Sequence, residues 1–172
     1  MKLPNKVGGG AQTNLNGLRF EQTTDLRVII ETLPGFTVTG NAVFRDGVQI
    51  ALLCGKHELY RYLLEHKKVD HKAHLSKKLL PDEAILVDDT VYVIEKKFQS
   101  GSGSVDEKLQ TCDFKRKQYA KLLSAAGLKV HYIYVLNDWF QQPEYKDVHD
   151  YIESVGCKYF FNEIPLSAIG LA

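Results

Sequence analysis

The sequence predicts an α/β protein, with one central mixed sheet flanked by helices. Three observations carry this. Residues 36–54 show strand-like patterning on both sides of Asp46-Gly47, a pair that marks a tight hairpin turn. Residues 82–99 form a second pair of strand-like runs, divided at Asp88-Asp89. The run KVHYIYVL, Lys129 to Leu136, is rich in β-branched and aromatic residues and follows a long helical segment. A strand, a helix and a strand in that order imply a right-handed crossover and a parallel pair.

The elements follow in order. Residues 1–16 are polar and carry Gly8-Gly9-Gly10, so a flexible arm is expected ahead of a single domain at 17–172. The chain is long enough for one such domain with a sizeable core. Gly17 to Leu33 reads as the first helix, with Leu26, Ile29, Ile30 and Leu33 as its apolar stripe and Pro34-Gly35 as its stop. Phe36 to Phe44 and Val48 to Cys54 read as two strands joined at Arg45-Asp46-Gly47. Lys56 to Lys68 reads as a helix that buries Leu59, Tyr60, Leu63 and Leu64. Val69 to Leu80 is basic and lacks periodicity, and it leads into Pro81.

Asp82 opens the first strand of the central hairpin, and Val91 to Gln99 forms the second. Ser100 to Ser104, SGSGS, is expected to be a mobile loop. Ser104-Val105-Asp106-Glu107 has the capping-box pattern, which predicts a helix from there to Ala126, stopped by Gly127. Val105, Leu109, Cys112, Tyr119 and Leu123 form its buried stripe. Arg116 falls within that stripe, so it either snorkels to the rim or pairs with a carboxylate. Tyr145 to Val155 reads as the last helix and Cys157 to Phe161 as a short final strand. Stacking on bases is open to Trp139 and Phe140, but capping the core is the commoner role for such residues and is the expectation.

Composition bounds the environment. The hydrophobic and charged fractions, 44% and 25%, are those of an ordinary globular protein. Lys2, Pro4, Asn5 and Lys6 interrupt any signal-peptide run, and apolar stretches such as Ile50 to Cys54 are too short to span a bilayer. Cys54, Cys112 and Cys157 are widely spaced and lie among apolar residues. Reduced, buried cysteines and a cytoplasmic location are the expectation. The net charge of +1 hides an asymmetry, because Lys67 to Lys78 holds five lysines against Asp70 and Lys108 to Lys121 holds five basic residues against Asp113. A basic half beside the central hairpin suits a polyanionic partner.

The chemistry concentrates on the hairpin. Strand alternation places Glu95, Lys97 and Gln99 on one face, and Tyr92, Ile94, Lys96 and Phe98 on the other. The turn brings Asp82 back beside Glu95. Hard cations such as Mg²⁺ take oxygen ligands, and one or two protein carboxylates suffice when water and phosphate complete the shell. An amphipathic edge hairpin with a solvated charged tip is the plain alternative. His66, His71 and His74 have a loosely metal-like spacing, but no nearby cysteine completes a zinc set. No G-x-x-x-x-G-K-[ST] follows the glycine-rich loop, which disfavours a nucleotide-binding P-loop.

Pro81-Asp82, followed at Glu95-Lys96-Lys97 and Gln99, resembles the active-site signature of the PD-(D/E)XK nuclease superfamily with its E-x-K-x-Q extension. Gly17-Leu18-Arg19-Phe20-Glu21 is similar to the G-x-x-F-E pattern of the first helix in many members. The resemblance implies a restriction-endonuclease-like αβββαβ core over residues 17–136 and metal-dependent hydrolysis of DNA. Asp82 and Glu95 would hold Mg²⁺, with Mn²⁺ as a substitute, and Glu21 would be a third acidic ligand. As a plain alternative, Glu21 balances a helix dipole. Lys97 would orient the attacking water or offset charge on the phosphate, and Gln99 would support the shell. Lys115, on the helix after the hairpin, would reach the phosphate, and Lys77 and Lys78 would lie on the DNA side. A compact chain without helicase motifs is most like a type II restriction endonuclease, a homodimer on double-stranded DNA. A Holliday-junction resolvase-like nuclease and a non-catalytic nucleic-acid-binding module are the alternatives.

Overall fold

The computed structural model describes residues 17–171. Seven strands form one mixed sheet whose spatial order follows the chain order. They are β1 (Phe36–Thr39), β2 (Ala42–Arg45), β3 (Val48–Leu53), β4 (Glu83–Val87), β5 (Thr90–Lys97), β6 (Lys129–Leu136) and β7 (Lys158–Phe161). The first five make an antiparallel meander, and β6 and β7 join parallel. Residues 17–23 form helix α1, followed by α2 (Leu26–Glu31). Helices α3 (Val105–Leu109) and α4 (Cys112–Ser124) make the crossover between β5 and β6, and α5 (Lys146–Ser154) makes the one between β6 and β7.

The residues explain this layout. Asp46 and Gly47 both take positive φ, 50° and 80°, which matches the right-handed twist of the strands that they join. Two hydrophobic clusters cover the two faces of the sheet. One gathers Leu59, Leu63, Leu109, Leu122 and Ile152 against Val91, Val93 and Tyr132. The other gathers Phe20, Leu26 and Ile30 against Ile85, Ile94 and Ile133. Tyr132 to Leu136 are all buried, as expected for a strand covered on both sides.

Four expected elements are interrupted. The first helix breaks at Thr24-Asp25, because both side chains compete for backbone groups. The Thr24 hydroxyl donates to Phe20 O at 2.7 Å, and extended Asp25 caps α2 by accepting from Val28 N at 3.0 Å. The expected strand Phe36 to Phe44 is two strands, folded back at Gly40-Asn41 with Gly40 at φ 60°. Lys56 to Lys68 buries the expected stripe but winds as a π-helical turn (Leu59–Leu64) and a 3₁₀ turn (Glu65–Lys67). The helix after the hairpin breaks at Gln110-Thr111, where the Thr111 hydroxyl donates back to Lys108 O at 2.7 Å. Ser104 makes no capping hydrogen bond, so the capping box does not form. Asp106 instead accepts from the Tyr145 hydroxyl at 3.0 Å.

Phe140 is fully buried, and Trp139 donates to the Tyr145 hydroxyl, so both cap the core. Cys54, Cys112 and Cys157 are buried and form no disulfide. Among the described residues, no helix is long and apolar enough to cross a membrane. The expected flexible arm, residues 1–16, lies outside the described residues.

Candidate active site

The site forms where β3 and β5 end and β4 begins. Glu83 pairs with Ile94 across the β4–β5 hairpin, which sets Asp82 beside Glu95. Asp82 Oδ2 accepts from Lys96 N at 2.8 Å, so the carboxylate takes the place of a backbone carbonyl and is fixed by that bond. The end of β3 holds this corner from the other side. Cys54 N donates to Ala84 O at 2.8 Å, and Lys56 N donates to Pro81 O at 2.9 Å. Gly55 lets the strands approach closely here, because a Cβ would meet Asp82 O and Glu83 Cα at a tight 3.2 Å each.

Glu95 is 6% exposed, on the face covered by α4. Its Oε2 lies 3.2 Å from Lys97 Nζ and 3.9 Å from Lys115 Nζ. Burial raises the proton affinity of its carboxyl, Lys97 lowers it, and Asp82 raises it further. Tyr134 is the register partner of Glu95 on β6. Tyr119 and Tyr132 also feel its charge, and burial then pushes their hydroxyl pKa values well above the ordinary range. The charge pattern is therefore two carboxylates that disfavour one another, with two lysines on the buried one.

Lys96 takes the opposite face, as alternation predicts, but it is not idle. Its Nζ lies 3.1 Å from Glu83 Oε2 and 3.3 Å from Glu21 O, with a side chain only 8% exposed. Glu83 Oε1 also accepts from Leu26 N at 2.9 Å, so this strand carboxylate ties the start of α2 to the hairpin. Burial raises the pKa of Glu83, and Lys96 offsets part of that shift.

Gln99 lies just past the end of β5, clamped by Asn137. Gln99 N donates to Asn137 Oδ1 at 3.0 Å, and Asn137 Nδ2 donates to Gln99 O at 2.8 Å. Its side chain is buried beside Gly103, and neither Oε1 nor Nε2 has a hydrogen-bond partner among the described residues. Such a buried, unpaired amide is costly unless something else completes it.

Glu21 is exposed on α1 and borders two clefts at this end of the sheet. One, of about 190 Å³, also contains Asp25, Lys56, Asp82 and Lys96. The other, of about 630 Å³, contains Lys97, Phe98 and Lys108. Glu21 thus reaches the rim, but no three acidic, histidine or cysteine side chains among the described residues gather into a metal-holding group. Lys77 and Lys78 stay apart from the carboxylates. They are exposed on the loop that enters Pro81, with Lys78 Nζ 4.8 Å above the Tyr60 ring. The Tyr60 hydroxyl pins that loop through Leu79 N and O, at 2.7 and 2.8 Å.

Lys56, Lys108 and Asn137 are site residues that sequence reasoning passed over. The β5–β6 pairing places Asn137, while Lys56 and Lys108 line the two clefts that Glu21 borders. The donor set fits a hard divalent cation. It offers carboxylate oxygens alone, and a cation would relieve the mutual repulsion of Asp82 and Glu95. Compared with protein-family models, curated proteins and solved structures, the chain shows no significant match.

Proposed function

We propose that the protein is a metal-dependent DNA endonuclease that hydrolyses phosphodiester bonds in the manner of the PD-(D/E)XK superfamily. The form favoured is a type II restriction endonuclease, working as a homodimer on a duplex site. The observation that carries this reading is the meeting of Asp82, Glu95 and Lys97 at the open end of the β4–β5 hairpin. The order of helix, antiparallel strands, hairpin, helix and parallel strand supports a restriction-endonuclease-like αβββαβ core.

Asp82 and Glu95 would hold Mg²⁺ or Mn²⁺, and Glu21 borders the site as a further carboxylate. When bound, the ion would supply the Lewis-acid charge needed to activate water and to offset charge on the scissile phosphate. Lys97 orients the attacking water from the Glu95 side and offsets charge that builds on the phosphate. Lys115 approaches the same carboxylate from α4 and holds a non-bridging phosphate oxygen. Gln99 offers its amide to the same shell. Lys77 and Lys78 contact phosphates farther along the duplex.

Asp82→Ala and Glu95→Ala test the assignment. Both variants are expected to keep their fold and DNA binding and to lose plasmid cleavage in Mg²⁺. Near wild-type cutting by either one refutes the site. Cleavage confined to branched junctions would favour a resolvase-like nuclease, and binding without any cleavage would favour a non-catalytic module.

A further inference from the structure

A groove beside α4 carries no role in the proposed hydrolysis. It encloses about 460 Å³ between α4 and the loop that follows the His71–Ala73 turn. Phe114, Gln118 and Lys121 form one wall, and His74, Leu75 and Ser76 form the other. Phe114 is 66% exposed, although it lies on a helix whose other large apolar side chains are buried. A single exposed aromatic is unremarkable in itself. Its surroundings are not, because the groove is electropositive. Lys72, Lys77, Lys78, Lys117 and Lys121 are exposed on these two segments. Asp113 pairs with Arg116 and Lys117, whereas Lys72, Lys77, Lys78 and Lys121 have no ion-pair partner among the described residues.

Both walls lead to the candidate centre. Phe114 adjoins Lys115, whose Nζ is 3.9 Å from Glu95. The loop runs from Ser76 past Lys77 and Lys78 directly into Pro81-Asp82. A strand whose phosphate lies at Asp82 and Glu95 would meet the lysines of these two segments before the exposed Phe114 ring. Aromatic faces beside cations take unpaired bases by stacking, whatever the base.

We propose that this groove binds an unpaired nucleobase of the substrate strand, with Phe114 as the stacking platform and Lys121 on the backbone. The proposal rests on the nuclease reading for its substrate, but binding alone tests it. Phe114→Ala should weaken binding of a labelled oligothymidine, measured without metal, by about tenfold, the scale of one lost stack. Binding of a fully paired duplex of equal length should change less than twofold. Phe114→Trp adds an indole to the single native one, Trp139, and its emission should be quenched by the single strand. A duplex with one mismatched base that quenches equally would identify an extruded base as the source. Three results overturn the proposal. One is unchanged oligothymidine affinity in Phe114→Ala, and another is unquenched emission in Phe114→Trp. The third is a dimer that Phe114→Ala converts to monomer with oligonucleotide binding intact, which would assign the groove to a second copy of the chain. Quenching with no Mg²⁺-dependent cleavage by the wild type would refute the nuclease reading and leave the groove standing.

Discussion

Lys96 and Lys97 are adjacent lysines with opposite surroundings, so replacing each by alanine should separate stability from catalysis. Lys96 Nζ is 3.1 Å from Glu83 Oε2 in a largely buried pair. At an effective dielectric constant of about 20, unit charges at that separation attract by roughly 5 kcal/mol. Removing one partner of a buried pair typically costs about 3–5 kcal/mol. Glu83 keeps its bond from Leu26 N, and its raised pKa lets it take up a proton, so the lower end applies. Lys96→Ala should therefore lose about 3 kcal/mol, or roughly 6–12 °C in Tm for a chain of this size. Its turnover per folded molecule should stay close to wild type. Lys97→Ala should lose less stability, because Lys115 remains 3.9 Å from Glu95. Its single-turnover rate on supercoiled plasmid should fall by about 10²–10⁴, the scale of one lost electrostatic group and a misplaced water. Thermal unfolding and single-turnover cleavage at saturating enzyme measure the two effects. A dead Lys96→Ala beside an active Lys97→Ala would place the chemistry on the wrong face of β5. A Lys96→Ala as stable as wild type would refute the buried pair with Glu83.

Two further predictions concern pH and DNA binding. The raised pKa of Glu95 favours the protonated form in the folded protein, so its contribution to stability is full below the ordinary carboxylate pKa. That contribution is lost as pH rises through the raised value. Metal binding needs the carboxylate, so the Mg²⁺ concentration for half-maximal cleavage should rise as pH falls through the same window. A Mg²⁺ requirement that is flat with pH across the mildly acidic range would count against Glu95 as a ligand. Replacing Lys77 and Lys78 together by alanine should reduce the slope of log K against log salt by about two, with little loss of stability. An unchanged slope would mean that these lysines face bulk water.

Much of this architecture was legible because it depends on short-range pattern. The alternation of Tyr92 to Gln99 and the turn at Asp88-Asp89 were enough to put Glu95 and Lys97 on one face and Asp82 beside them. The stripe of Leu59, Tyr60, Leu63 and Leu64 was visible, although not its π-helical winding. Side chains that bond their own backbone hid the breaks in the helices, since Thr24, Asp25 and Thr111 fit a helical pattern as well as a cap. The Gly40-Asn41 turn was passed over because residues 36–44 read as one continuous strand. The roles of Lys96 and Asn137 depend on partners far away in sequence. Glu83 pairs with Lys96 across the hairpin, and Asn137 reaches Gln99 only because β6 lies parallel to β5. No local pattern encodes those contacts.

The central claim is that Asp82, Glu95 and Lys97 form a metal-dependent phosphodiester-cleaving centre. Incubating purified wild-type protein with supercoiled plasmid, in Mg²⁺ and separately in excess EDTA, tests it most directly. Nicked or linear products that end in discrete bands are expected with Mg²⁺, and intact supercoiled plasmid with EDTA. Plasmid left intact in both Mg²⁺ and Mn²⁺, or cleaved equally in EDTA, would contradict it.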